Sequence, residues 1–461
     1  MRESFPKTSK MERSSGIDGM RLSQYNVVLP AGKEFIICNT LSGAVLVVDK
    51  DVNDILLTGE GPPKIMDTLL GQGFFVEDTL CEKQVIRTCV ERDRWRAPQT
   101  TYRQSSLGRV GFVNLILTHE CNLDCTYCYK KTDPCKGQMN EPVAETSLHF
   151  VQKEITEKRV DTLFLSLYGG EPLTNQDIMN FVLERLKEIC SLYRVRLLVK
   201  LFTNGTLLDE PVLQSLSHVE IADVHLTFDA PEELHKKRRI FPDGKSSFNQ
   251  VLRAAQTLEK HNINTILRIN ISEERSKEAV PFLEMLKENG IVNAHLYFGS
   301  AEPRMDLCTH FYSSYGYPGT VDLFTNISLE AAKAGYPVIQ PGIGLYFSMC
   351  AGFTDYFHII DTDGLVYKCM SLVGRPEHAV GFLERDGYLK KSSAYYTWMS
   401  RDPVSIEECS TCQMLPWCRG GCPAIAWRQK NTYNAPGCFT VDFDSQIHNS
   451  KAVKEYITSR R

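Results

Sequence analysis

The segment Gly111-Phe-Val-Asn-Leu-Ile-Leu-Thr118-His-Glu-Cys121-Asn-Leu-Asp-Cys125-Thr-Tyr127-Cys128-Tyr129 joins an apolar, β-rich run to three closely spaced cysteines. Residues 111–118 predict a strand, so the cysteines fall at a strand's C-terminal end. Three thiolates this close hold three corners of an iron-sulfur cube and leave one iron without a protein ligand. A 4Fe-4S cluster ordinarily takes four thiolates, so the open corner invites an exogenous chelate and makes this a site for chemistry as well as electron transfer. Zinc is the alternative, but a zinc knuckle wants a fourth Cys or His nearby. Cys135, seven residues beyond Cys128, suits no common zinc spacing.

The pattern alternates downstream. Candidate strands at 162–167, 196–202, 224–228, 265–271 and 293–298 are separated by helical patterns near 144–157, 176–192, 211–216, 248–261 and 277–288. Strands alternating with helices of this length predict a parallel sheet with right-handed crossovers. The expected fold class is therefore α/β: a partial (β/α)6 TIM-like barrel over residues 105–310, with function at the C-terminal ends of its strands.

Those ends carry the polar residues. The second strand ends in Tyr168-Gly169-Gly170-Glu171-Pro172, the third in Phe202-Thr203-Asn204-Gly205 and the fourth in Leu226-Thr227-Phe228-Asp229, with His235-Lys-Lys-Arg-Arg239 close behind. Taken alone, Gly-Gly followed by Pro is an ordinary turn. At the strand end after the cysteine loop it resembles the Gly-Gly-Glu-Pro motif of the radical S-adenosylmethionine (radical SAM) enzymes, as the cysteine spacing also does. The resemblance implies that the open iron binds the amino and carboxylate groups of the methionine moiety, and that reductive cleavage yields a 5′-deoxyadenosyl radical. It implies that Gly169 and Gly170 allow close approach to the ligand and that Glu171 faces the methionine ammonium. Thr227 and Arg239 would hold the carboxylate and Tyr127 would contact the adenosyl part, with Thr203, Asn204 and Arg268 as further contacts. Arg268 and Asn270 could equally be a barrel-lining polar pair.

A second cysteine pattern occupies the C-terminal third. Thirteen residues separate Cys350 from Gly364 and four separate Gly364 from Cys369; Cys409, Cys412, Cys418 and Cys422 follow, spaced by two, five and three residues, and then Cys438. This resembles the SPASM domain of peptide-modifying radical SAM enzymes. A disulfide framework is disfavoured, because residues 1–20 are polar and basic with no apolar signal region. A zinc ribbon is the nearer rival. By resemblance Cys409, Cys412, Cys418 and Cys438 would ligate an outer auxiliary cluster, and Cys350, Cys369 and Cys422 an inner one. Family members with a complete inner cluster have another cysteine soon after the first, whereas residues 351–358 contain none. A vacant iron there would favour a soft ligand such as a substrate thiolate. The sulfatase-maturing branch carries an Asp base directly after the cysteine equivalent to Cys369; here that position is Met370.

Ahead of the barrel, residues 24–29 and 35–39 read as a hairpin around Pro30-Ala31-Gly32, followed by a strand at 44–48, helices near 52–57 and 63–71, and a return at 73–76. This resembles the winged-helix peptide-recognition element of enzymes that modify ribosomal peptides. The resemblance implies leader binding by strand addition, and a charged helix at 82–95 would link the element to the barrel. The expected organisation is a disordered 1–20, a winged-helix-like 21–100, the barrel, a linker at 311–345, the cysteine-rich domain at 346–445 and a tail at 446–461.

With 461 residues, 43% of them apolar, the chain can bury a sizeable core, and a net charge of −4 gives no electrostatic support for nucleic-acid binding. Of sixteen cysteines, ten fall in the patterns above; most of Cys38, Cys81, Cys89, Cys135, Cys190 and Cys308 read as packing residues. The expectation is a cytoplasmic oxidoreductase with one radical SAM cluster and two auxiliary 4Fe-4S clusters, acting on a precursor peptide with a leader. Its electron donor would be a protein such as flavodoxin or ferredoxin, and no membrane is involved. The first reading of its product is a Cys thioether. Carbon–carbon or carbon–oxygen cross-linking and formylglycine formation are the alternatives, and a cluster- or zinc-binding scaffold is the rival outside enzymes.

Overall fold

The computed structural model describes residues 19–95, 108–128, 137–229, 232–271, 279–300, 320–339 and 350–438. Cys135, Cys308 and the tail at 446–461 lie outside them, as do residues 1–18 of the expected disordered start.

The first element is built as its turns and apolar spacing predict. Strands β1 (Met20–Leu22), β2 (Asn26–Ala31), β3 (Glu34–Asn39) and β4 (Val45–Val48) precede helices α1 (Lys50–Thr58) and α2 (Pro63–Gly71), strand β5 (Phe75–Glu77) and helix α3 (Glu82–Trp95). Strands β2, β3 and β4 form one antiparallel sheet, while β5 returns to pair with β1. Met20, assigned to the disordered start by sequence, is therefore a strand residue. Asp49 caps α1 by accepting from Val52 N at 2.9 Å, which satisfies one of the free amides of its first turn.

Strand β6 (Val110–Thr118) opens the barrel, followed by α4 (Glu141–Lys158), β7 (Thr162–Gly169), α5 (Gln176–Tyr193), β8 (Arg196–Thr203), α6 (Glu210–Leu216), β9 (Glu220–Asp229), α7 (Glu232–Arg238), α8 (Phe248–Lys260), β10 (Thr265–Ile271), α9 (Ala279–Glu288), β11 (His295–Ser300) and α10 (Thr320–Lys333). All six strands run parallel in the order β11-β10-β9-β8-β7-β6. Period-two alternation sends Leu163, Leu165 and Leu167 of β7 outward into the core shared with the helices. Phe164, Ser166 and Tyr168 therefore face the lumen. Helix α10 corrects the expected linker at 311–345: Ile327 and Ala331 are buried in the main core, and Ile339 N donates to Leu296 O at 2.8 Å. It is the helix that follows the sixth barrel strand, β11.

The cysteine-rich region continues the barrel's sheet. Strand β12 (Phe357–Ile360) pairs parallel to β6, with Phe357 opposite Phe112, and β13 (Leu365–Tyr367), β14 (Gly381–Leu383) and β15 (Leu389–Lys391) follow as an antiparallel meander, giving ten strands. This covers the β6 edge, which a half-open barrel would otherwise expose. Helices α11 (Ser393–Met399), α12 (Glu407–Ser410), α13 (Leu415–Cys418) and α14 (Pro423–Lys430) complete the region.

The N-terminal element packs against the cysteine-rich region. Trp417 of α13 packs among Val27, Leu29, Ile36 and Cys38. Gln413 Nε2 donates to Asn26 O at 2.7 Å. Tyr25, Ile86 and Val90 share a core with Val404, Ile406, Cys409 and Leu415. Helix α3 therefore docks on the cysteine-rich region, where Arg87 pairs with Asp402 at 3.1 Å and Arg94 donates to Arg401 O at 2.6 Å.

Candidate active site

The cysteine loop is held between the first two strand ends and the segment after α7. Gly170 N donates to Thr118 O at 2.8 Å and Glu171 N to Glu120 O at 2.9 Å, while Asp124 N reaches Ile240 O and Thr126 N reaches Arg238 O. A Cβ on Gly169 would lie 2.5 Å from Thr118 O, and one on Gly170 would lie 2.2 Å from Glu120 O. The close approach that both glycines permit is thus to the backbone of the cysteine loop. Asn204 ties the third strand end to the same loop: its Nδ2 lies 3.6 Å from Cys121 Sγ and 2.9 Å from Asn122 Oδ1.

Burial lifts the pKa of Cys121 and pushes Cys125 up to about 11, and the neighbouring thiols add to both shifts. Iron binding would outcompete those protons, as metals do for thiols generally.

Glu171 is fully buried. Its Oε1 accepts from Leu173 N at 3.1 Å and Thr203 Oγ1 at 2.8 Å, and its Oε2 from Asn204 N at 2.6 Å. The carboxylate thus locks the second strand end to the third and keeps a spare lone pair on Oε2. Burial outweighs these donors and pushes its pKa up to about 7.

A second cluster spans Tyr127, the ends of β9 and β10, and Arg239. Tyr127 OH donates to Asp229 Oδ1 at 2.9 Å and accepts from Arg239 Nη1 at 3.0 Å. Asn270 Nδ2 donates to the same Asp229 oxygen at 2.9 Å, and Arg268 Nε to Asn270 Oδ1 at 3.1 Å. Thr227 sits opposite Arg268 in the register of β9 and β10. Burial raises the pKa of Asp229. Arg239 is held above its ordinary range: burial opposes its charge, but Tyr127, Cys125 and Asp229 outweigh that. Asp229 Oδ2 and Arg239 Nε are buried without a hydrogen-bond partner among the described residues. One orphaned carboxylate oxygen and one orphaned guanidinium N–H beside three convergent thiols suit an amino-acid-type ligand with an ammonium and a carboxylate. Three thiols and this orphaned pair are the donor types that an iron-sulfur cluster and SAM would use, while among the described residues no group of three or more His, Cys, Asp or Glu is already placed to hold a metal ion.

Sequence reasoning assigned no role to Asp229, nor to the ion pairs inside the barrel. Asp223, fully buried, pairs with Lys200 at 3.1 Å and lies 2.8 Å from His225, whose ring stacks on Phe202. His119, just before the cysteines, lies 2.6 Å from Asp361 in the turn between β12 and β13 and couples the loop to the C-terminal region. No local signal marks these pairs.

In the C-terminal region the thiols of Cys409, Cys412, Cys418 and Cys438 are near enough to interact electrostatically. Burial pushes Cys409 and Cys418 up to about 12, and the neighbouring thiols add to the shift. Cys369 sits beside Tyr433, Cys422 caps α14, and both pack on the main core. Met370 Sδ lies 3.9 Å from Asn114 Nδ2 of β6, so the residue after Cys369 faces the barrel. Cys350 caps the short turn 351–353. Cys38 and Cys190 are packing residues, Cys89 is half-buried, and Cys81 is exposed.

Residues 115–286 match the family model described as the Radical SAM superfamily, and this segment is a radical SAM domain. The radical SAM cyclopropyl synthase TigE of Paramaledivibacter caminithermalis is 22% identical over 347 residues, covering 67% of each chain. A cysteine-type anaerobic sulfatase-maturating enzyme of Clostridium novyi is 24% identical over 340 residues, covering 66% of this chain and 84% of that one. Two solved structures share the fold. Native anSMEcpe with bound AdoMet and Cp18Cys peptide superimposes with a TM-score of 0.53 at 20% identity, over 76% of this chain and 97% of that one. Streptococcus suis SuiB bound to precursor peptide SuiA superimposes with a TM-score of 0.51 at 12% identity, over 93% and 100%.

Proposed function

We propose that this chain, whose residues 115–286 form a radical SAM domain, is a maturase that installs a Cys thioether in a ribosomally made precursor peptide. The observation that carries the reading is the inner cysteine set. Cys350, Cys369 and Cys422 have no fourth cysteine in 351–358, and Met370 beside Cys369 faces the first barrel strand. Peptide-modifying relatives and peptide-bound neighbours support a peptide substrate.

In this reading Cys121, Cys125 and Cys128 would hold the radical cluster, which together with SAM would supply a 5′-deoxyadenosyl radical. Asp229 and Arg239 offer their free oxygen and N–H to the ligand's ammonium and carboxylate, with Thr227 and Arg268 alongside. Tyr127 fixes both by bonding each. Glu171 holds two strand ends in register and presents one lone pair. Cys350, Cys369 and Cys422 would hold a cluster with one open iron, which supplies a soft site for a peptide thiolate and a sink for one electron. The balance closes: the carbon loses a hydrogen atom to the radical, the thiol loses a proton, the C–S bond forms and one electron leaves. A methionine thioether cannot take up a proton, so Met370 argues against formylglycine chemistry, which needs a base there. The N-terminal element would receive the leader through the edge strand β4.

The test is anaerobic turnover with the precursor peptide encoded nearest this gene. The expected product is lighter by two hydrogens, carries a thioether and forms together with 5′-deoxyadenosine. Replacing Cys121, Cys125 and Cys128 by Ala should abolish deoxyadenosine while the auxiliary iron remains. A Cys→Ser peptide that is still cross-linked at that position refutes the thioether reading.

A further inference from the structure

Arg401 is the largest fully buried side chain among the described residues, with no measurable exposure. It follows α11, and no motif marks it. Its guanidinium spends its donors on main-chain carbonyls: Nε to Tyr433 O at 2.7 Å, Nη2 to Gly420 O at 2.6 Å and Ala435 O at 3.0 Å, and Nη1 to Arg419 O at 3.3 Å. These carbonyls belong to two ligand-bearing segments, one between Cys418 and Cys422 and one just before Cys438. A Cβ on Gly420 would come within 3.0 Å of Nη1, so glycine leaves the room that the guanidinium fills. Phe353 covers one face at 5.6 Å.

A buried cation is costly unless paired, and carbonyl dipoles compensate only in part. The acidic groups that act most strongly on Arg401 are thiols, those of Cys409, Cys422, Cys418 and Cys438. Three of these belong to the outer set and Cys422 to the inner set. Clusters ligated by thiolates carry net negative charge, which grows on reduction.

We propose that Arg401 is the shared counter-ion and positioning residue of the two auxiliary clusters, raising the outer cluster's reduction potential while it clamps the two ligand segments together. This rests on the auxiliary-cluster reading above. A fixed positive charge in a low-dielectric setting favours the more negative, reduced cluster. The rigid fork that reaches four carbonyls at once is a task for arginine, which lysine performs only in part.

The experiment uses the full chain carrying Ala at Cys121, Cys125 and Cys128, so that all bound iron is auxiliary. Iron and sulfide content, and the midpoint potential by redox titration with spin-resonance detection, are compared with those of the same protein carrying Arg401→Gln or Arg401→Lys. The expected result is a lower outer-cluster midpoint in R401Q and a midpoint close to the parent's in R401K, with reduced iron content in both. A folded R401Q with the parent's midpoint overturns the proposal, as does an R401K shifted as far as R401Q. If R401Q fails to fold, R401K alone decides: retained clusters at the parent's midpoint support the proposal, and a large downward shift refutes it. A parent protein without auxiliary iron would refute the cluster reading itself, before any variant is compared.

Discussion

Adding one methyl group at Gly170 tests how the barrel positions its reactive loop. In Gly170→Ala the new Cβ would fall 2.2 Å from Glu120 O, 2.6 Å from Glu120 C and 2.7 Å from His119 O, all main-chain atoms. Restoring ordinary contact requires about 1 Å of separation between the second strand end and the cysteine loop. That movement breaks or stretches two hydrogen bonds, Gly170 N to Thr118 O and Glu171 N to Glu120 O. At about 1 kcal/mol each, and more where a buried partner is left unsatisfied, the expected destabilisation is roughly 2–4 kcal/mol. Cys121 follows Glu120 directly, so the first thiolate moves with the loop. Displacement of about 1 Å at a reacting centre costs on the order of 100-fold in rate. The assay is urea denaturation together with deoxyadenosine formation after anaerobic reconstitution. Gly71→Ala serves as the control, since a Cβ there meets nothing within 4 Å. A Gly170→Ala variant that keeps its unfolding midpoint and full deoxyadenosine release would show that the strand end and loop are not packed as described.

Two further outcomes follow from the joints between regions. Trp417→Ala empties a site walled by Val27, Leu29, Ile36 and Cys38. It should cost about 3–5 kcal/mol and make the segment around residue 95 sensitive to protease, whereas unchanged stability would mean that the N-terminal element is not anchored there. Asp355 pairs with Lys158 at 3.0 Å and accepts from Tyr395 OH at 2.8 Å. Burial opposes its charge, but Lys158 and Lys368 outweigh this and bring its pKa down from 3.8 to about 2. Because the folded pKa is depressed, the stabilisation is present above pH 3.8 and disappears as pH falls through about 2. It amounts to roughly 2.5 kcal/mol. Asp355→Asn should therefore be less stable than the parent at pH 7, with the gap narrowing below about pH 4; a gap that stays constant with pH would refute the pairing.

What could be read from the chain alone is what short-range chemistry encodes. Three thiolates within eight residues, Gly-Gly-Glu-Pro at a strand end and alternating strand and helix patterns each declare themselves over a few residues. Ligand spacing and side-chain periodicity are local properties of a chain. The same holds for the hairpin around Gly32 and for helix α3, whose limits match the charged stretch at 82–95. The α10 segment escaped because its surroundings lack strand punctuation and its apolar face is apparent only once α9 is beside it. Asp229 became a site residue only when folding brought it to Tyr127, 102 positions away in sequence. The joining of β12 to β6 and the seating of Trp417 on β2 and β3 depend on which edge and which apolar face remain open after the barrel forms. Arg401 is the extreme case: nothing around it in sequence distinguishes it from a surface arginine. Only the tertiary structure removes it from water and surrounds it with carbonyls and thiols, because burial and long-range electrostatics are properties of the assembled chain.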